Sequence, residues 1–268
     1  MRSFEDIFSP MLREAGRIML SAHNVDESSD NISVKPGSAN FVTVYDVRVQ
    51  ECLIERIREC FPDAAFIAEE KENDSEVLAS EHCFIIDPID GTTNFIHDYR
   101  HSCISLAIVS RGETVFGAIY DPYLDELFTA ERGKGAYLNG KKIQVSDRPM
   151  ELCVAAYGTA PYYRDTLADA TFSMCRDVFM ACADVRRCGS AALDLAYMAA
   201  GRNDLFFEVV LSPWDIAAGA LLITEAGGII TDMQGSPIDL SKPCSVIAAN
   251  KQAYGSLLEI AKRHSHKS

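Results

Sequence analysis

Asp87 and Asp90 lie three positions apart in the run Asp87-Pro88-Ile89-Asp90-Gly91-Thr92-Thr93. The run follows Cys83-Phe84-Ile85-Ile86, an apolar stretch that reads as the end of a buried strand. Carboxylates hold hard cations such as Mg2+, and a helix start with free N–H groups holds phosphate. One short segment therefore offers both halves of a metal-assisted phosphate site, set in a Pro/Gly turn. Glu69 and Glu70 close another apolar run, and Asp215 follows Ser212-Pro213-Trp214 at an expected helix start. A two-metal centre needs carboxylates converging from several elements on ions about 3.5–4 Å apart, and strand ends and helix starts can supply that convergence.

Each acid also has a plain structural reading. Asp90-Gly91 makes a turn. Ser212-Pro213-Trp214-Asp215 makes a capped helix start, and Glu69-Glu70-Lys71-Glu72 makes a solvated charge run. Thr92 and Thr93 suit helix capping, Trp214 suits the core, and His97 and His101 read as rim or structural residues. Only the joint pattern of acids from distant segments argues for a site.

The elements that must position these residues follow from periodicity and breakers. Residues 4–22 read as an amphipathic helix with Pro10 near its first turns, and residues 26–40 as a loop. A second helix over residues 44–60 places Val47, Leu53, Ile54 and Ile57 on one side and ends at Phe61-Pro62. A strand over residues 65–68 delivers Glu69 and Glu70. Residues 102–110, 114–121 and 126–130 form an antiparallel meander, and Gly133, Gly135 and Gly140 punctuate the turns after it. Residues 151–157 give another strand. Helices at about 164–180, 190–200, 214–226 and 251–263 then alternate with strands at about 204–208, 228–232 and 245–249. The pattern predicts an α/β protein of the α+β type: a first half, 1–148, carrying most of the candidate ligands, and a second half, 149–268, carrying Asp215, fused as a single compact unit.

The chain has 268 residues, 25 Lys and Arg against 39 Asp and Glu, and a formal charge of −14. A nucleic-acid-binding surface shows a basic stripe; beyond Lys262-Arg263-His264 none is visible, so no direct nucleic-acid contact is expected. An acidic protein that handles phosphate needs bound cations to neutralise it. No apolar run approaches a membrane span, and acids at Glu5 and Asp6 argue against an export signal. Nine Cys without a C-x-x-C pair fit reduced, buried thiols and a cytoplasmic setting. Neither a P-loop, nor a G-x-G-x-x-G fingerprint, nor a G-x-S-x-G nucleophile turn occurs.

Two long stretches carry a family resemblance. Asp87-Pro88-Ile89-Asp90-Gly91-Thr92-Thr93-Asn94-Phe95 resembles the first signature of the inositol monophosphatase family, the Mg2+-dependent, lithium-sensitive sugar and polyol phosphatases. Trp214-Asp215-Ile216-Ala217-Ala218-Gly219, running on to Glu225-Ala226-Gly227-Gly228, resembles the second. Supporting stretches over residues 41–46, 66–70, 133–136 and 189–193 occur in the family's order.

The resemblance implies a layered αβαβα sandwich with an antiparallel sheet in the first half and a mixed sheet in the second, and usually a homodimer. It implies that Glu69, Asp87 and the Ile89 carbonyl hold one Mg2+ and that Asp87, Asp90 and Asp215 hold another, with a third, weaker ion near Glu69 and Mn2+ as a substitute. Asp46 and Thr92 match the pair that positions the attacking water for in-line transfer. Glu70 matches a neighbour of the ligands, and Lys35 a lysine on a loop near them. Gly91 and Thr92 supply N–H groups to the phosphate. Gly189, Ser190, Ala191 and Glu208 match the stretch that contacts substrate hydroxyls, beside Asp90 and Asp215.

The substrate expected from this resemblance is a phosphorylated polyol or sugar, inositol 1-phosphate first and fructose 1,6-bisphosphate second. An acid at Glu208 suits hydroxyls and repels a second phosphate. Ser190 stands where animal members commonly carry Thr. A reading of another class is a regulatory, protein-binding scaffold, which some family members provide independently of catalysis.

Overall fold

The computed structural model describes residues 3–22, 32–34 and 41–264. Helix α1 (Phe4–Leu20) begins at Ser3, whose hydroxyl accepts the Asp6 N–H while the Asp6 carboxylate accepts the Ser3 N–H, a reciprocal capping box. Pro10 sits inside this helix rather than in its first turn. Strands β1 (Ile32–Val34), inside the stretch expected to be loop, and β2 (Phe41–Thr43), just after it, pair antiparallel. Lys35 lies outside the described residues.

Thr43 then caps α2 (Val44–Cys60). Its buried face is Asp46, Val49, Gln50, Leu53 and Ile57, and Val47, expected on that face, is exposed. The stripe is rotated because buried polar residues, Asp46 and Gln50, share it with the aliphatic ones.

A seven-stranded sheet follows in simple order: β3 (Ala65–Ala68), β4 (Cys83–Asp90), β5 (Cys103–Ser110), β6 (Glu113–Asp121), β7 (Glu126–Glu131), β8 (Gly135–Leu138) and β9 (Lys141–Ile143). β3 and β4 run parallel and every later pair is antiparallel. The glycine-punctuated residues read as turns thus also carry the last two strands, β8 and the edge strand β9. Helix α3 (Thr92–Ile96) follows β4.

The second sheet has the order β11 (Asp184–Arg186), β10 (Val154–Tyr157), β12 (Leu205–Leu211), β14 (Cys244–Ala249), β13 (Ile229–Thr231). It is mixed: β10 pairs parallel with β11 and β12, and β14 pairs antiparallel with β12 and β13. The helices of this half are α4 (Arg164–Ala181), α5 (Ala191–Ala199), α6 (Pro213–Glu225) and α7 (Tyr254–His264). The strand expected over residues 151–157 is shorter, because residues Met150–Leu152 make a 3-10 turn.

Alternation along the strands explains the layers. Phe84 and Ile86 face α1 and α2, while Cys83 and Ile85 face α5 and α6. In the other sheet Phe206, Val246 and Ala248 face α5 and α6, while Leu205, Phe207, Ile247 and Ala249 face α4 and α7. Both faces of both sheets are therefore covered, which is why these strands read as continuous apolar runs. The order is helix pair, sheet, helix pair, sheet, helix pair: the αβαβα sandwich. Close packing at the middle layer requires Gly117, since a Cβ there would lie 2.9 Å from the Ala218 carbonyl oxygen of α6. Among the described residues no helix is long and apolar enough to cross a membrane.

Candidate active site

Strand β4 carries the first two acids, and its register explains how. Asp87 pairs with Ser105 and Asp90 with Cys103, so three steps on β4 match two on β5. This is a bulge, one extra residue on one strand. In a regular strand residues three apart point to opposite faces. Here Asp87 keeps the parity of Ile85, Ile89 joins the core on the α1–α2 side, and Asp90 returns to the inner face against α5. Pro88 fits the bulge because it has no N–H to leave unpaired. The expected turn is thus a bulged strand, and the turn proper falls at Gly91, whose φ of 90° favours glycine.

Two helix starts from the middle layer complete the cluster. Ser190 caps α5, and its hydroxyl donates to Asp90 Oδ2 at 2.5 Å. The Ala192 N–H donates to the same oxygen at 2.7 Å. Asp215 lies in the first turn of α6 and accepts the Ser212 N–H at 2.7 Å. Oxygen atoms of Asp87, Asp90 and Asp215 all lie within 4.8 Å of one another. Burial, then the charges of Glu69, Asp90 and Asp215, pushes the Asp87 carboxyl well above the usual range. Burial and the charges of Asp90 and Glu69 push Asp215 the same way. Burial raises Asp90 too, and Ser190 and the α5 N–H groups pull it part of the way back. Three acids that oppose one another's ionisation form a cage that a divalent cation would relieve. The donor set is all oxygen, which fits a hard ion such as Mg2+ or Mn2+.

These residues line a cavity of about 590 Å3, in the range of small-molecule sites. Its wall includes Glu69, Ile89, Gly91 and Thr92 from the first half, and Gly189, Ser190, Ala191 and Glu208 from the second. Glu69 stands on the wall outside the tight trio. Asp46 lies behind Thr92: Thr92 Oγ1 stands 3.3 Å from Asp46 Oδ1 and 3.1 Å from the Ile89 carbonyl oxygen, two acceptors for its one proton. The other Asp46 oxygen accepts the Thr43 N–H at 2.7 Å and the Thr43 hydroxyl at 2.5 Å. Burial raises Asp46 to about 6 against the pull of these Thr43 bonds. Glu208 is buried, accepts the Ala160 N–H at 2.9 Å and is raised by burial to about 7. Gly158 lies against that carboxylate, where no Cβ would fit.

Glu70 does not line the cavity. It exchanges bonds with the Gln50 amide, donating its N–H to Oε1 and accepting from Nε2 at its carbonyl. Sequence reasoning missed Arg187, Tyr162, Tyr163 and Arg164, all on the wall. Arg187 next to the Gly189-Ser190 start was the one with a signal, as a cation beside an anion-binding helix start.

Fold and cavity define a layered α+β protein with a carboxylate cage at the starts of helices. A family model described as the inositol monophosphatase family matches residues 2–266, and the chain belongs to that family. Over 232 residues it is 42% identical to the Escherichia coli (strain K12) protein "Nus factor SuhB", covering 84% of this chain and 86% of that one. The solved inositol monophosphatase of Thermotoga maritima superposes with a TM-score of 0.86 at 33% identity, covering 97% of this chain and 96% of the other. A structure described as an IMPase/NADP phosphatase complexed with Mg2+ and phosphate gives 0.84 at 26% identity, covering 96% and 94%.

Proposed function

We propose that this protein hydrolyses phosphate monoesters of a polyol or sugar, inositol 1-phosphate foremost, in a Mg2+-dependent reaction. The observation that carries this reading is the convergence of Asp87, Asp90 and Asp215 in one cavity that also holds Glu208. Glu69, Asp87 and the Ile89 carbonyl would hold one ion, and Asp87, Asp90 and Asp215 another. Bound there, Mg2+ would neutralise the phosphate and acidify water.

The chain's own groups do the rest. With its hydroxyl proton directed to Asp46, Thr92 presents a lone pair that orients a water toward phosphorus. Asp46, ionised above about pH 6, is the base that keeps Thr92 turned this way. N–H groups at the Gly91-Thr92 turn face the phosphoryl oxygens. Glu208, with Gly189, Ser190 and Ala191, receives the sugar hydroxyls, and its carboxyl repels a second phosphate. The wall from Gly158 to Arg164 encloses the departing alcohol.

The test is phosphate release from inositol 1-phosphate, glycerol 2-phosphate, fructose 1,6-bisphosphate, histidinol phosphate and adenosine 3′,5′-bisphosphate, with and without Mg2+. Preference for inositol 1-phosphate is the expected result. Dominant hydrolysis of the bisphosphorylated sugar makes fructose bisphosphatase activity the reading, and no hydrolysis of any substrate rejects the enzyme. A second reading is favoured by the name Nus factor carried by the Escherichia coli relative: a protein-contact role that needs no turnover. Asp90→Asn separates the two, since it removes turnover and leaves an exposed contact surface intact.

A further inference from the structure

Next to the carboxylate cage lies a second cluster of different chemistry. A ring nitrogen of His101, the sulfur of Cys188 and a carboxylate oxygen of Asp194 all lie within 4.8 Å of one another. They come from three segments: the stretch between α3 and β5, the loop between β11 and α5, and the first turn of α5. We propose that these three residues form a site for a borderline-soft divalent cation of the Zn2+ class, separate from the oxygen-only cage.

The donor set is the first argument. Thiolate, imidazole and carboxylate are the ligands of Zn2+, with bonds of about 2.0–2.3 Å and one position left for water. Tetrahedral ligands at such bond lengths stand about 3.3–3.8 Å apart, so the groups need only small side-chain movements to close on an ion. Mg2+ prefers oxygen throughout, so the two sites select different metals.

Preorganisation is the second. The Asn94 side-chain amide donates to the carbonyl of His101 at 2.7 Å and to that of Cys188 at 2.8 Å. One side chain thus pins the backbones of two candidate ligands together. The His101 ring packs edge-on against Tyr197 of α5, with centroids 5.8 Å apart. Asp194 is 3% exposed and sits on a helix whose cap, Ser190, is anchored to Asp90.

The third argument is an unmet need. His101 Nε2 is enclosed and has no hydrogen-bond partner, which is uncommon for a buried polar atom. Burial lowers His101, raises Cys188 to about 11 and raises Asp194 well above its usual range. Burial thus opposes the charged form of all three groups, and a bound cation would offset that for the thiolate and the carboxylate. On binding, the Cys188 thiol proton passes to solvent, Asp194 binds as the carboxylate, and the imidazole binds through a free nitrogen lone pair. Arg187 is the nearby cation, and its guanidinium donates to the Thr159 hydroxyl at 3.0 Å. Because Gly189 and Ser190 lie between Cys188 and Asp194, an ion held there fixes the stretch of cavity wall that they form.

The test is a Co2+ titration of the full chain, freed of metal by chelation and kept in a large excess of Mg2+. The expected result is one Co2+ per chain with a near-ultraviolet thiolate-to-cobalt absorption band that Zn2+ abolishes. Cys188→Ser should remove the band, and His101→Gln should weaken Co2+ binding by at least about tenfold. Circular dichroism and the melting temperature certify both variants as folded; if the serine variant does not fold, His101→Gln alone decides. Absence of a thiolate band in the wild type, its persistence in folded Cys188→Ser, or unchanged affinity in His101→Gln overturns the proposal. The readout is a thiolate band rather than phosphate release, so it fails or succeeds independently of the phosphatase reading.

Discussion

Asp204 and Asp87 are equally deep, 1% and 2% exposed, and have opposite surroundings. Asp204 ties the start of the second sheet together. One oxygen receives the Arg148 guanidinium at 2.7 Å and the Ser146 hydroxyl, and the other receives the Val154 N–H at 2.7 Å. Asp87 faces Asp90 and Asp215, and the charges that act on it are negative. A buried acid with its own cation and donors is a fastener. A buried acid among other acids stores repulsion, which only something from outside can relieve.

The comparison breaks most sharply at the cage. Asp90→Asn or Asp215→Asn should lower Mg2+-dependent kcat by about a thousandfold with the melting temperature preserved. Near-normal kcat in either purified, folded variant would falsify the assignment. Asp204→Ala should do the reverse. It leaves the Val154 N–H without its partner and costs about 3 kcal/mol in urea unfolding, with kcat little changed and no Mg2+ dependence of the loss.

Glu208 sharpens the contrast by pH. Its folded value, about 7, lies above the ordinary 4.5, so between these values the folded chain binds more protons than the unfolded one. Its contribution therefore falls as pH rises from 4.5 to 7, by about 3 kcal/mol in all. Melting curves in chelator across that window, compared between wild type and Glu208→Gln, should show the shallower decline in the variant. The smallest expected effect is at a single pH. At pH 8 Glu208→Gln should be the more stable protein by about 2 kcal/mol in urea unfolding while its KM for inositol 1-phosphate rises. A destabilised variant would place Glu208 with Asp204 instead.

Much of this was legible in the sequence because it is local. Asp87-Pro88-Ile89-Asp90-Gly91 and Ser212-Pro213-Trp214-Asp215 hold acid and backbone device in adjacent positions, so type and spacing marked them as candidates, and their joint occurrence with the family resemblance assigned them to one site. Layered sheets and helices followed from grouped strands before alternating ones, and the αβαβα order came from the family resemblance. The bulge did not, because parity is a property of the pairing between β4 and β5 and no single strand states it. The last strands, β8 and β9, were hidden by Gly133, Gly135 and Gly140, which serve their hairpins. Val47 was misplaced because Asp46 and Gln50, polar but buried, turn the face of α2. Arg187 reaches the cavity from a loop and Tyr162 and Tyr163 from a single 3-10 turn, too short for a periodicity to read, and the cluster of His101, Cys188 and Asp194 spans residues far apart in the chain.

The turn from Gly158 to Arg164 is built unlike the rest of the cavity. The floor belongs to a bulged strand and to helices clamped between two sheets, whereas Tyr162 and Tyr163 are nearly half exposed. In the proposed phosphatase this surface stretch would add a second, more exposed contact to the polyol selection assigned to Glu208 and the start of α5. Substitutions at Tyr162 and Tyr163 would therefore retune the outer fit of the departing alcohol while leaving the carboxylate cage untouched.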